Sequence, residues 1–122
     1  MILDGSRVLA CRRAPHKSLA GKWEFPGGKV DTNETPEAAL MRELHEELDV
    51  ESVVHELFRT DVSQVDELVI QLECYRVSLP GGPPTQSTDH DEMRWVELRE
   101  IRSLDWATPD LEMVRQLHAT SA

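Results

Sequence analysis

The sequence predicts an α/β (α+β) fold in which a mixed sheet lies between helices, and two observations lead to this prediction. Short segments of alternating apolar and polar residues recur along the chain and indicate strands. Two segments with helical spacing are well separated, one near the middle of the chain and one at its C-terminal end. Since 122 residues are enough for one core, we expect a single domain over residues 1–122.

Residues 6–13 form the first predicted strand, in which Val8 and Ala10 alternate with Leu9 and Cys11. The second cysteine, Cys74, also lies in a predicted strand. Two cysteines this far apart in the sequence make no zinc pattern and do not indicate a disulfide. We therefore expect two small buried thiols.

The remaining predicted strands lie on either side of the first helix. Residues 23–30 are a short extended piece that Pro-Gly-Gly interrupts, and this tripeptide requires a turn or an exposed loop. Residues 53–61 and 67–77 are predicted as a hairpin, joined by a polar turn over residues 62–66. A further strand is expected over residues 93–98.

The segment that begins at Thr35 is the clearest helix. Thr35 supplies a hydroxyl N-cap, Pro36 suits the first turn, and the acid of Glu37 lies near the positive end of the helix dipole. Leucines recur at four-residue spacing up to Leu48 and predict one apolar stripe. A second helix is predicted to open with residues 108–110 and to carry apolar residues three apart.

The charge of the chain excludes some classes of partner. Its 23 acidic and 13 basic residues give a net charge of −10, which repels nucleic acid polymers and anionic membranes. No apolar run approaches the roughly 20 residues of a membrane helix, and residues 1–5 lack the pattern of a signal peptide. We therefore expect a cytoplasmic protein with neither a nucleic acid nor a membrane partner.

Three glutamates lie on one flank of the first predicted helix. At about 100° per residue, Glu43, Glu46 and Glu47 fall within an arc of roughly 100° beside the apolar stripe. Carboxylates this close repel one another unless a cation lies among them, and such a cluster suits Mg²⁺ or Mn²⁺. For the helix alone, a solvated acidic face is the alternative. The preceding pair Gly27-Gly28 favours a ligand site, because glycine lets the backbone approach a ligand closely.

The segment from Gly28 to Val50 resembles the Nudix box. That pattern is a glycine, five residues, a glutamate, seven residues, Arg-Glu, an aliphatic residue, any residue, Glu-Glu, any residue, a glycine and an aliphatic residue. Gly28, Glu34 and the run RELHEELDV from Arg42 match eight of its nine defined positions. Asp49 replaces the final glycine at the end of the helix, where a left-handed residue is often required. Aspartate adopts this conformation less readily than glycine, which predicts a small loss of stability without a change in chemistry. The resemblance implies a Nudix-type α/β/α sandwich.

The resemblance also implies a metal site. Glu43, Glu46 and Glu47 are expected to bind Mg²⁺, for which Mn²⁺ can substitute, with the help of the backbone carbonyl of Gly27. Arg42 is expected to orient these carboxylates through a forked salt bridge.

Candidates for taking a proton from the attacking water follow from the same resemblance. Glu43 is the first, because a carboxylate suffices when a metal makes the water more acidic. Asp89 stands where relatives carry a glutamate, but it is shorter by one methylene, so direct metal binding is open. His90 could compete for this role, although a surface histidine is the commoner explanation. Glu34 is expected to brace the loop against the helix.

Five further residues resemble substrate-binding residues of the MutT branch of this family. Arg13 and Lys29 are expected to hold the phosphate chain. Asp110 stands where this branch contacts the edge of the base, but it is equally an acid at a helix start. Trp23 and Phe25 could stack on a base or belong to the core.

The implied function is hydrolysis of a nucleoside triphosphate to the monophosphate and pyrophosphate, with oxidised dGTP or a cytidine nucleotide as substrate. One alternative is hydrolysis of a nucleoside diphosphate linked to another group, such as ADP-ribose. A catalytically silent nucleotide sensor is another, although such proteins typically lose box carboxylates. An acidic interaction domain without an active site is the third. The MutT branch suggests a monomer.

Overall fold

The computed structural model describes residues 1–121. Within this range, the chain forms six strands and two α-helices, which are β1 (Leu3–Asp4), β2 (Arg7–Arg13), β3 (Trp23–Glu24), α1 (Pro36–Leu48), β4 (Val53–Val65), β5 (Leu68–Ser78), β6 (His90–Glu97) and α2 (Leu111–Thr120). Two 3-10 helices, Leu98–Ser103 and Thr108–Asp110, lie between β6 and α2. The predicted α/β class is confirmed.

β2 is the central strand of a four-stranded antiparallel sheet. It pairs with β6 along one edge and with β1 and β3 at opposite ends of the other edge. β4 and β5 form a separate antiparallel hairpin. A parallel bridge between Ile2 and Val77 joins the hairpin to the sheet, so the strand arrangement is mixed, as predicted.

The side chains of β2 divide between the two faces of the sheet. Val8 and Ala10 belong to a core cluster that includes the apolar face of α2. Leu9 and Cys11 belong to a second cluster, with Leu44 of α1. The alternation seen in the sequence therefore places the sheet between two helices.

Local hydrogen bonds define both ends of α1. The hydroxyl of Thr35 accepts a hydrogen bond from the N–H of Ala38 at 3.1 Å, as expected of an N-cap. Asp49 ends the helix in the left-handed conformation, with a φ of 54°, and its N–H donates to the carbonyl of His45. The directions in which the helix points its glutamates are therefore fixed locally.

The predicted turn of the hairpin is wrong. Residues 62–66 were expected to form it, but only Asp66 and Glu67 lie between the paired strands. Asp66 adopts a φ of 56°, which suits a two-residue hairpin turn. Ser63 and Gln64 continue the strand pairing instead, because polar side chains are compatible with an exposed strand.

Two other boundaries differ from the prediction. β6 begins at His90 instead of residue 93, because its pairing with β2 extends to Arg13. Thr108–Asp110 forms a 3-10 turn, so that α2 itself begins at Leu111. The candidate site residues His90 and Asp110 therefore lie in regular secondary structure.

Other sequence expectations concern single features. Cys11 and Cys74 are buried free thiols, as expected. In the part of the chain that the structure describes, no helix is long and apolar enough to cross a membrane.

Candidate active site

Arg42 lies at the centre of a network of acidic side chains on α1 and the loop before it. Its guanidinium contacts both carboxylate oxygens of Glu34, with Nε at 2.8 Å and Nη2 at 2.9 Å. Its Nη1 donates to Glu43 at 2.8 Å and to Glu46 at 3.3 Å. This is the forked arrangement that the sequence predicts, in which one planar donor orients several carboxylates.

Glu34 connects this network to the loop. Its Oε1 also accepts a hydrogen bond from the backbone N–H of Asp31 at 3.0 Å. The bond from Arg42 and this backbone bond lower the pKa of Glu34 to about 2. The side chain is therefore ionised near neutral pH and holds the loop against α1, as the resemblance implies.

Glu47 is the most buried glutamate of the box, with 9% of its surface exposed. Its Oε2 has no hydrogen-bond partner among the described residues. Burial raises the pKa of Glu47 far above its usual value, and the nearby carboxylates of Asp89 and Glu43 raise it further. Two ionised carboxylates cannot hydrogen bond to each other, so this group requires a proton or a cation.

Asp89 is held beside Glu47 by backbone bonds. The N–H of Thr88 donates to the carbonyl of Glu47 at 3.1 Å, and the N–H of Ala14 donates to the carbonyl of Asp89 at 3.0 Å. Lys17 Nζ lies 3.2 Å from Asp89 Oδ1. Burial would raise the pKa of Asp89, but its contacts with Glu47 and Lys17 outweigh this and lower it. Glu47 and Asp89 therefore form a coupled pair of acids, which favours a proton or a cation between them.

A cleft of about 800 Å³ is lined by both glycines of the Gly27-Gly28 pair. This volume lies within the usual range for small-molecule sites. The lining includes four of the expected substrate-binding residues, which are Arg13, Phe25, Lys29 and Asp110. A second cavity of about 210 Å³ lies between the C-terminal end of α1 and residues 81–86, apart from these residues.

The structure places the two aromatic candidates differently. Trp23 is buried in the core, with the guanidinium of Arg94 4.8 Å from its ring centroid, and it does not line the cleft. Of the two explanations left open for Trp23, the structure supports membership of the core. Phe25 lines the cleft and stacks on Trp106 with ring centroids 4.7 Å apart, so it remains a candidate.

Glu24 joins Arg13 to a buried histidine. Arg13 Nη1 donates to Glu24 Oε1 at 2.8 Å, and His90 Nε2 lies 2.8 Å from Glu24 Oε2. The other ring nitrogen of His90 lies 2.7 Å from the hydroxyl of Ser87. The interpretation of His90 as a surface residue was wrong, and its competition with Asp89 for the proton is disfavoured because both ring nitrogens have partners.

Sequence reasoning missed Glu24. Its only signal in the sequence is an acid between two aromatic residues, Trp23 and Phe25, directly before Pro-Gly-Gly. The contact of Lys17 with Asp89 was not predicted either, because it depends on the folded loop.

Asp110 is a buried acid on the wall of the cleft, with 6% of its surface exposed. Its side chain makes no capping bond to α2, but it stands at the N-terminal end of that helix, so both explanations stay open. Burial raises its pKa to about 8, helped by the negative charge of Glu24 and opposed by the backbone N–H of Phe25.

Known proteins resemble this chain over nearly its full length. A family model of the NUDIX domain matches residues 1–117. A putative 8-oxo-dGTP diphosphatase 2 of Mycobacterium tuberculosis is 40% identical over 98% of this chain and 84% of its own. The CTP pyrophosphohydrolase of Escherichia coli is 32% identical over 98% and 87%. The solution structure of the E. coli ORF135 protein matches with a TM-score of 0.80 at 30% identity, covering 99% of this chain and 86% of that one. This chain belongs to the Nudix family of hydrolases.

Proposed function

We propose that this protein hydrolyses a phosphoanhydride of a nucleoside triphosphate, with Mg²⁺ or Mn²⁺, to give the nucleoside monophosphate and pyrophosphate. The observation that carries the proposal is the partnerless Oε2 of Glu47, buried beside Glu43 and Asp89. The similar proteins named above suggest two substrates, an oxidised dGTP and CTP.

The residues that would hold the cation are Glu43, Glu46 and Glu47, with the carbonyl of Gly27. As their side chains stand, no three acidic, histidine or cysteine residues among residues 1–121 converge on a common point. Glu43 and Glu46 bond instead to Arg42, and the Glu46 side chain is 58% exposed, so that it can turn. An all-oxygen set with one buried unsatisfied carboxylate fits a hard divalent ion.

A divalent cation held here would neutralise charge on the phosphates and make a nearby water more acidic. Glu43 is the first candidate to accept the proton of the attacking water, and Asp89 is the second, since both border Glu47. Arg13 and Lys29 line the cleft and would hold the phosphate chain, which supplies positive charge that the acidic chain otherwise lacks.

The test is the release of pyrophosphate from a panel of canonical and oxidised nucleoside triphosphates in the presence of Mg²⁺. Glu46→Gln and Glu47→Gln keep side-chain size but remove a charged ligand, and each should lower kcat/KM by about 100-fold or more. Glu92→Gln makes the same change on β6, where Glu92 pairs with Arg12 and Arg94, and should leave turnover unchanged.

The possible results separate the alternatives. Unchanged turnover in both box variants would contradict the metal assignment. A wild-type protein whose melting temperature rises with Mg²⁺ and nucleotide, but which hydrolyses none of them, would be a nucleotide sensor. A protein with neither response would be an acidic interaction domain.

A further inference from the structure

The turn that follows β2 is attached to Asp89 at two points. The N–H of Ala14 donates to the carbonyl of Asp89 at 3.0 Å, and the ammonium of Lys17 lies 3.2 Å from Asp89 Oδ1. The turn itself is closed by the N–H of Lys17, which donates to the carbonyl of Ala14 at 3.0 Å. Residues 14–17 therefore hold both the backbone and the side chain of one acid.

Local sequence and strand register together produce this double attachment. Pro15 occupies the second position of the turn, where its fixed φ suits the common β-turns. Arg13, the last residue of β2, pairs with His90, the first residue of β6. Because the turn directly follows Arg13 and Asp89 directly precedes His90, the pairing of the two strands brings the turn against Asp89.

The acid that the turn holds lies beside a like charge. The carboxylates of Asp89 and Glu47 are close enough to interact, and the N–H of Thr88 donates to the carbonyl of Glu47 at 3.1 Å. Two carboxylates repel each other, and the side chain of Asp89 is 28% exposed, so that it has room to turn toward solvent. Among residues 1–121, the ion pair with Lys17 is the one that opposes this movement of Asp89.

Lys17 stands apart from the basic residues that would hold the phosphate chain. In the described part of the chain, the lining of the cleft includes Arg13 and Lys29 but not Lys17. A lysine ammonium is a compact charge that can bind one oxygen of a carboxylate and leave the other oxygen available. Lys17 is therefore placed to act on Asp89 and not on the nucleotide.

We propose that Lys17 is a positioning residue of the hydrolytic site, which keeps the carboxylate of Asp89 beside Glu47 through the turn of residues 14–17. This inference rests on the proposed function, in which Asp89 is a candidate to accept the proton of the attacking water. Lys17 itself contacts neither the water nor the nucleotide. Its effect on hydrolysis is exerted through Asp89, so the loss of Lys17 should matter only while Asp89 is present.

The first test needs neither metal nor turnover. It is a double-mutant cycle of Lys17→Met and Asp89→Asn, followed by thermal melting in EDTA. Lys17→Met should lower the melting temperature by about 2–4 °C when Asp89 is present and should leave it unchanged in the Asp89→Asn background. Lys22→Met, which removes an exposed ion pair with Asp105, is the matched control and should have little effect. An equal fall with aspartate or asparagine at position 89 would overturn the inference.

Kinetics at saturating Mg²⁺ give the second test, because positioning and phosphate binding affect different constants. Lys17→Met should lower kcat by about tenfold and leave KM for the nucleotide within about twofold of the wild type. Lys17→Arg keeps a cation for Asp89 and should retain most of the wild-type kcat, and Lys22→Met should change neither constant. A raised KM with an unchanged kcat in Lys17→Met would show that Lys17 binds the phosphates, which contradicts the proposal.

The same cycle in kcat tests whether Lys17 acts through Asp89. Asp89→Asn should lower kcat at least as much as Lys17→Met does, and the double variant should lose no more than Asp89→Asn alone. Additive losses, as a merely structural role of Lys17 would give, or a fully active Asp89→Asn would overturn the inference. If no triphosphate is hydrolysed, the proposed function fails. The melting cycle in EDTA then decides by itself whether Lys17 holds Asp89.

Discussion

Gly28 lies directly against the side chain of Glu43, so closely that a β-carbon at position 28 would be 2.4 Å from Glu43 Cδ. Glu43 has little freedom to move away, because its Oε1 accepts a hydrogen bond from Arg42 at 2.8 Å. The glycine of the box is therefore required by the space that the carboxylate of Glu43, a proposed metal ligand, occupies.

Gly28→Ala should displace the Glu43 carboxylate and leave the fold intact. A displacement of about 1 Å in an active site can lower activity by about 100-fold, so we expect a loss of 10- to 100-fold in kcat/KM. The Mg²⁺ concentration for half-maximal activity should rise. Gly81→Ala is the control, because a β-carbon there meets no atom within 4 Å. Equal loss of activity in both variants would contradict this explanation.

Arg42→Lys tests whether one guanidinium organises the box. A lysine ammonium has no planar fork, so it cannot bind both oxygens of Glu34 and also contact Glu43. We expect kcat/KM to fall by about tenfold or more, with weaker activation by Mg²⁺, measured by titration of the metal at saturating nucleotide. Arg12→Lys, at the exposed contact with Asp91, should have no such effect. A kinetically silent Arg42→Lys would show that the fork is dispensable.

The features that the sequence predicts correctly are those with local causes. The cap of Thr35 on Ala38 and the left-handed Asp49 both depend on residues within a few positions, and the structure shows both. The contact of Glu24 with His90 joins residues 66 positions apart. Side-chain pairs at such a distance depend on the register of β2 with β6, which no local pattern in one sequence specifies.

The burial of aromatic residues illustrates the same limit. Trp23 and Phe25 alternate along one short segment, and nothing in their spacing distinguishes a core residue from a cleft residue. Both are buried in the same core cluster, but Phe25 also lines the cleft and stacks on Trp106, whereas the ring of Trp23 contacts the guanidiniums of Arg12 and Arg94. The position of Trp106 relative to both depends on the loop before α2, far along the chain.

Glu47 should make the stability of the metal-free protein depend on pH. Burial raises the pKa of Glu47 in the folded protein, and Asp89 and Glu43 raise it further. The protonated side chain therefore contributes its full stabilisation only below the usual pKa of a glutamate. This contribution is lost as pH rises from there toward the raised folded value. The melting temperature of the wild type in EDTA should therefore fall over this range, and the melting temperature of Glu47→Gln should fall less.

Added Mg²⁺ should reverse this trend, because a cation replaces the proton and binds more tightly as the carboxylate ionises. The Mg²⁺-induced rise in melting temperature should therefore grow with pH in the wild type and be small in Glu47→Gln. Thermal melts at several pH values, with EDTA or Mg²⁺, measure both effects. A wild-type profile identical to that of Glu47→Gln under both conditions would exclude Glu47 as the buried ligand.

Asp49→Gly should stabilise the protein without changing its kinetics. Asp49 adopts a φ of 54° at the end of α1, a conformation that glycine occupies at less cost than aspartate. Part of the gain is offset because glycine increases the entropy of the unfolded chain, so we expect the free energy of unfolding to rise by about 0.5 kcal/mol. Urea denaturation measures this difference. Glu51→Gly, at a position without positive φ, should instead lower stability. If Asp49→Gly also lowers it, the aspartate makes a stabilising contact that outweighs its strained backbone.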